Sequence, residues 1–398
     1  MKNFFLLFST ITVFNVSAQQ RPKLVVGIVV DQMKMEYLYR FSDDFSNNGF
    51  KRLMNDGYVF HNTHYNYMPT YTGPGHASIY TGTTPAIHGI VGNTWFDKSV
   101  GKNRYCTDDA SVSILGTGDL DEGQMSPLNL QSTTMTDELR LATNFKGKVI
   151  GISVKDRGAI LPAGHFANWA FWMSDSGNFI SSTFYGKQLP NWVVDFNSKK
   201  LYETYLSKDW TLLKSESVYD KSIADDNPYE GLLYGSKNPV FPYALKEMYA
   251  KKGAKVIKST PFGNDFLADF AKDAIANEDL GTDAITDFLA LSFSSTDYIG
   301  HLTAPHSREV QDTYLRLDET IADFLNYLDK KVGKGNYLVF LTADHAAAEN
   351  VNFLKDNKYA VEAVDYKKLS DKLHEFSKTT FGADLVLNYS NYNVFFDK

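Results

Sequence analysis

The chain has 398 residues, room for one large α/β fold with insertions and an ample core. A net charge of −7 argues against nucleic acid as the main partner. The single cysteine, Cys106, excludes a disulfide framework and a thiolate-rich metal site, so any metal must be held by carboxylate, imidazole and hydroxyl groups.

Residues 1–18 read as a secretory signal. Lys2 supplies the positive start, Phe4 to Val16 a mostly apolar run, and Val16-Ser17-Ala18 the small residues of a cleavage site. The run is too short and too often broken by polar residues to anchor the chain. No later segment has 18 consecutive apolar residues, so a soluble periplasmic or secreted protein without stable membrane insertion is expected.

Lys23 to Val30 is a continuous β-branched run, the pattern of a strand buried in a parallel sheet, and it ends at Asp31. An acid there lies at the sheet edge where α/β ligands bind, although a turn or capping aspartate reads the same way. Asp44 to Asp56 reads as a short helix and Tyr58 to Thr63 as a strand. Thr72-Gly-Pro-Gly-His76 then places Thr72 at or just before a helix N-terminus, where free N–H groups and the dipole suit an anion. An ordinary N-cap threonine would look identical on this stretch alone. Thr83 to Trp95 is rich in turn residues and contains Asn93. Met135 to Ala142 is expected to be helical. Gly147 to Val154 is a second core strand, leading into Lys155-Asp-Arg157, two cations able to fork an oxyanion or simply to be solvated.

From about 166 to 261 the pattern shifts to short aromatic strands and turn clusters, read as an inserted cap. Phe262 to Ala276 has helical spacing, Asp287 to Phe293 is a strand, Arg308 to Leu328 a long amphipathic helix, Tyr337 to Thr342 a strand and Tyr366 to Phe376 a helix. Strands alternating with helices predict a mostly parallel sheet with helices on both faces.

Three strands therefore deliver acids or acid–histidine groups to one edge: Asp31, then Asp297 with His301, then Asp344 with His345. Asp297 and His301 are four apart, so a helical turn puts them on one side. Oxygen and imidazole groups without thiolate suit catalytic zinc, and two centres fit this many groups. A bound divalent metal would stabilise a threonine alkoxide, and Asn93 with Lys155 and Arg157 could neutralise phosphoryl oxygens.

The motifs Val30-Asp31-Gln32, Thr72 to His76, Ile87 to Asn93, Lys155 to Arg157, Asp297 to His301 and Ala343 to His345 together resemble the alkaline phosphatase superfamily, most closely its exported, monomeric PafA-type branch. The resemblance covers essentially all of residues 21–398 and implies two zinc ions about 4 Å apart. It implies Asp31, Thr72, Asp344 and His345 as ligands of one, and Asp297, His301 and a further histidine as ligands of the other. Thr72 would carry a covalent phosphoryl group, with Asn93, Lys155 and Arg157 binding it. The implied activity is phosphate monoester hydrolysis on small-molecule esters. The family's last zinc ligand, however, is a histidine well downstream of the Asp-His pair. The one later histidine here, His374, lies in what reads as a surface helix and is not taken as that ligand. The chain thus reads as a C-terminally shortened member, impaired in turnover and with apolar surface exposed near Val386 to Phe396. A nucleotide pyrophosphatase/phosphodiesterase and an inactive or binding-only remnant stay open. A sulfatase would need a cysteine or serine where Thr72 stands.

Overall fold

The computed structural model describes residues 21–397; the secretory signal expected at 1–18 lies outside them. Eleven strands form among these residues: β1 (Leu24–Val30), β2 (Thr94–Asp97), β3 (Lys102–Tyr105), β4 (Ile114–Leu115), β5 (Val149–Ser153), β6 (Trp169–Met173), β7 (Phe179–Ser182), β8 (Asp287–Phe293), β9 (Tyr337–Thr342), β10 (Val386–Ser390) and β11 (Asn393–Phe396). Seven build the central sheet in the order β4-β7-β6-β5-β8-β1-β9. The run from β6 to β9 is parallel, and β7 and β4 add an antiparallel edge. The sheet is thus mostly parallel, as the alternation of strands and helices predicts.

Side chains alternate across β1. Leu24, Val26, Ile28 and Val30 enter the larger core with the long helix Arg308–Leu328 and the helix Phe262–Asn277. Val29 faces the opposite layer with Tyr80 and Phe288. Apolar burial on both faces explains why β1 reads as a continuous apolar run and β5 and β8 as mostly apolar ones. Register brings three strand ends together: Val30 pairs with Phe293 and Val29 with Thr342, so the residues after β1, β8 and β9 emerge side by side.

Three local expectations differ from the structure. Tyr58 to Thr63 forms no strand; Tyr58 and Phe60 are 81% and 73% exposed and meet edge to face. Asp44 to Asp56 is split into a 3₁₀ turn, Ser42–Asp44, and a helix, Phe50–Asp56. The split comes from Asp318, which accepts the Ser46 and Phe50 backbone N–H groups at 2.7 Å. Within the stretch 166–261, β6 and β7 belong to the central sheet. After them, Trp210 and Tyr219 hydrogen-bond to Asp312 of the long helix, and Ile223 and Gly231 donate backbone N–H groups to the His306 and Leu302 carbonyls just after His301.

Apolar surface is exposed at Leu387 and Phe396, and at Leu338 on β9 (55% exposed). β9 pairs only with β1 among the described strands, so its outer edge presents free backbone groups beside an exposed leucine. Leu338→Lys is expected to reduce self-association while changing stability by no more than about 0.5 kcal/mol. Light scattering over a concentration series checks this, and unchanged association would move the adhesive surface elsewhere.

Candidate active site

Asp31 leaves β1 with its backbone N–H bonded to the Phe293 carbonyl at 3.0 Å, which locks it beside the end of β8. Asp344 follows β9, and both carboxylates are fully buried. Gln32 has a positive φ of 66°, unusual for a non-glycine residue, and this turn aims its groups at both neighbouring strands. Its N–H donates to Asp344 Oδ1 at 3.1 Å and its amide Nε2 to Asp297 Oδ1 at 2.8 Å. A Cβ on Gly300 would collide with the Gln32 side chain, so the helix Ser295–Thr303 needs glycine there.

Asp297 and His301 share one face of that helix, with His301 Nε2 3.1 Å from Asp297 Oδ1. His345 sits against Asp344, Asp31 and Asp297, its Nε2 at 3.8, 3.4 and 3.8 Å from their carboxylates. Its Nδ1 donates to the Ala346 carbonyl at 3.0 Å, which leaves Nε2 directed at the acids.

Thr72 is the first residue of the helix Thr72–Thr81, entered from an extended Tyr71. Pro74 falls in the first turn, where its missing N–H costs nothing. The Thr72 hydroxyl lies 3.5 Å from His345 Nε2. Asn93 Oδ1 accepts the Gly73 N–H at 2.7 Å, which brings Asn93 beside the threonine. A Cβ on Gly75 would run into the Asp344 carbonyl oxygen, so this helix reaches the end of β9 only because residue 75 is glycine. His76 completes the junction. Its Nδ1 donates to the Thr72 carbonyl at 2.9 Å and lies 3.1 Å from Asp344 Oδ2, while Nε2 pairs with the Ser292 hydroxyl at 2.8 Å.

The two cations of Lys155-Asp-Arg157 diverge. Buried Lys155 donates to Asp31 Oδ2 at 2.8 Å and Asp297 Oδ2 at 2.5 Å. Arg157 donates to the Tyr105 hydroxyl at 2.8 Å, and its Nε is buried without a partner. Tyr105 in turn donates to Asp156 at 3.0 Å.

Electrostatically the cluster calls for positive charge. Burial pushes the Asp31 carboxyl up, but Lys155, His345 and His76 outweigh it and hold it well below the usual range. Asp344 is raised, by burial and by Asp31. Burial lowers His345, yet Asp344 and Asp31 bring it up to about 10. Asp31 Oδ1 and Asp344 Oδ2 are buried with no hydrogen-bond partner, a costly arrangement unless a cation meets them. Asp31, Asp344 and His345 each offer a ligand atom within 4.8 Å of the others, the one such group among the described residues. These residues fit a divalent metal.

All nine residues singled out by sequence lie in or beside this edge, while Gln32, His76 and Ser292 were missed as positioning groups. Gln32 and His76 do fall inside the motifs quoted above, which was their one sequence signal. His374, on an exposed helix, pairs with Asp384 at 2.9 Å and has no tie to the cluster.

The chain matches the type I phosphodiesterase / nucleotide pyrophosphatase family model over residues 25–390. It is 50% identical over 390 residues to alkaline phosphatase PafA of Elizabethkingia meningoseptica, covering 96% of this chain and 70% of that one. A protein of Myroides odoratus named calcium-transporting ATPase is 52% identical over 379 residues, 94% of this chain and 69% of its own length. The crystal structure of wild-type PafA superposes with a TM-score of 0.92 at 50% identity, covering 96% of this chain and 73% of that one. A second PafA structure carries substitutions at a threonine, an asparagine, a lysine and an arginine, in the order and at the intervals of Thr72, Asn93, Lys155 and Arg157. The chain therefore belongs to the type I phosphodiesterase / nucleotide pyrophosphatase family, within its PafA-type alkaline phosphatases.

Proposed function

We propose that the chain is an exported, monomeric, zinc-dependent phosphate monoesterase that works through a phosphothreonine at Thr72. The observation that carries this reading is the Thr72 hydroxyl at a helix N-terminus, 3.5 Å from His345 and beside two unpartnered buried carboxylate oxygens. Asp31, Thr72, Asp344 and His345 would hold one zinc ion, and Asp297 with His301 a second. When bound, zinc supplies Lewis acidity that lowers the pKa of a coordinated hydroxyl or water and stabilises negative oxygen.

The chain's own groups carry the rest. The Thr72 helix offers its positive dipole end to the phosphoryl group. The Thr72 oxygen forms the new bond to phosphorus as the ester oxygen leaves, and water later attacks phosphorus to release phosphate. Asn93, already held beside Gly73, has its amide nitrogen to donate to a phosphoryl oxygen. Lys155 and Arg157 meet the two negative charges of a monoester, Arg157 able to do so with two parallel N–H groups. Such positioning and charge stabilisation carry most phosphoryl-transfer catalysis. Residues 19–398 would act as one catalytic unit, the part of 166–261 beyond β7 forming a cap whose segment 223–231 borders the His301 end. No described helix is long and apolar enough to cross a membrane.

Thr72→Ala is expected to abolish phosphate release with the fold retained, and acid quenching of the parent chain should trap phosphate on Thr72. Substantial turnover in the alanine variant would end the covalent reading.

Replacing Lys155 and Arg157 together by alanine should cost monoester hydrolysis several kcal/mol, at about 1.5–3 kcal/mol for each charged hydrogen bond. Diester hydrolysis should lose much less. Equal losses on matched substrates would make the enzyme a diesterase or the pair structural.

Chelation should remove activity and zinc restore it. After dialysis about one zinc per chain should remain, because Asp297 and His301 offer two protein ligands where catalytic zinc has three. Elemental analysis decides this, and two tightly held zinc ions would require a ligand not recognised here.

A further inference from the structure

Next to Thr72 lies a cleft of about 360 Å³ that the chemistry above does not use. Its walls are four tyrosines: Tyr71, the residue preceding Thr72, with Tyr366, Tyr389 and Tyr392. Tyr366 stacks on Tyr389 with ring centres 6.3 Å apart and an interplanar angle of 28°. Its hydroxyl hydrogen-bonds that of Tyr392 at 3.1 Å. Asn391, in the lining of the cleft, donates to the Thr94 carbonyl at 2.7 Å, and a Cβ on Gly92 would meet the Asn391 amide at 2.6 Å. The lining thus includes the residue that precedes Thr72, and Asn391 in it lies against Gly92 and Thr94, the two residues that flank Asn93.

We infer that this tyrosine-lined cleft is a leaving-group subsite that favours phosphate monoesters of planar aromatic alcohols. The inference rests on the proposed phosphatase reading, because it is the phosphoryl group at Thr72 that delivers the ester oxygen to the cleft. Small-molecule sites of this size are lined mainly by apolar and aromatic side chains with a few polar groups for orientation. Aromatic rings prefer offset or edge contacts with other rings, and the Tyr366 hydroxyl, held by Tyr392, fixes one wall. An aliphatic leaving group would contact the same walls over less area. The one cation at the rim, Lys367, is paired with Asp371 at 2.7 Å, so the cleft itself carries no uncompensated charge to select an anionic leaving group.

The test is binding of phenylphosphonate and methylphosphonate to the 398-residue chain in zinc-containing buffer, followed by titration calorimetry. Neither ligand has an ester bond to hydrolyse, so the readout is independent of turnover. Phenylphosphonate is expected to bind about tenfold more tightly, a difference within reach of a ring stacking on two or three others. Tyr389→Ala and Tyr392→Ala should each erase most of that preference and leave methylphosphonate binding unchanged, which also shows that the variants are folded. Equal affinity of the two ligands for the parent chain, no measurable phenylphosphonate binding, or a preference that survives both substitutions would overturn the inference. Failure of the phosphatase reading is seen separately, as an absence of phosphate release from phenyl phosphate however the phosphonates bind.

Discussion

Three carboxylates, from Asp31, Asp297 and Asp344, are buried within reach of one imidazole, and the rest of the site exists to make that tolerable. Isolated ionised acids in a protein interior are strongly disfavoured, and adjacent ones more so. The chain answers with Lys155 between Asp31 and Asp297, His76 against Asp344, and His345 raised towards its charged form. Asp31 Oδ1 and Asp344 Oδ2 face these imidazoles but accept no hydrogen bond. A pocket that concentrates negative charge beyond what its own side chains balance is built for a cation, and its affinity comes from relieving that imbalance.

Parallel pairing is what lets three distant segments share so small a space. β8, β1 and β9 are neighbours running in one direction, so their carboxyl ends face the same way in adjacent register. An antiparallel neighbour would have sent one of the acids to the far edge. The Thr72 helix then needs close contact with the end of β9, which Gly75 permits and His76 ties down through Ser292 on β8. Gln32 cross-links the acids of the two flanking strands. These contacts set angles rather than supply chemistry, and they hold the hydroxyl and the acids in a fixed relation.

That division explains what was legible in the sequence. The core strands announce themselves because strands covered on both faces are apolar at most positions. The acids stand out because they end such runs, and Asp297 with His301 because four residues make one helical turn. Gln32, His76 and Ser292 are ordinary polar residues whose importance lies in partners more than 200 residues away, which no local pattern reveals. The Tyr58–Thr63 stretch has the composition of a strand but no partner to pair with, and β propensity depends on such context. β6 and β7 look unlike the other core strands because they stand where the sheet turns antiparallel. The divergence of Lys155 and Arg157 was hidden for a different reason: their spacing gives proximity along the chain, while direction is set by Asp31 on one side and Tyr105 on the other.

The tyrosine cleft is organised differently from the acid cluster. The acids and the threonine come from strand ends and a helix embedded in the main core. Tyr366, Tyr389 and Tyr392 come from the helix Tyr366–Phe381 and the β10–β11 hairpin, which pack chiefly on each other. Within that helix only Ser377 is buried, and its hydroxyl bonds to residues leading into the hairpin instead of to the sheet. Contact with the phosphoryl side runs through a few groups, notably Asn391 on Thr94 and Phe395 edge-on to Phe96. Substitutions in this layer can reshape the space beside Thr72 without straining the strands that fix the acids. Chemistry and leaving-group choice thus sit on separate mechanical supports, and the second can vary while the first is held by the parallel sheet.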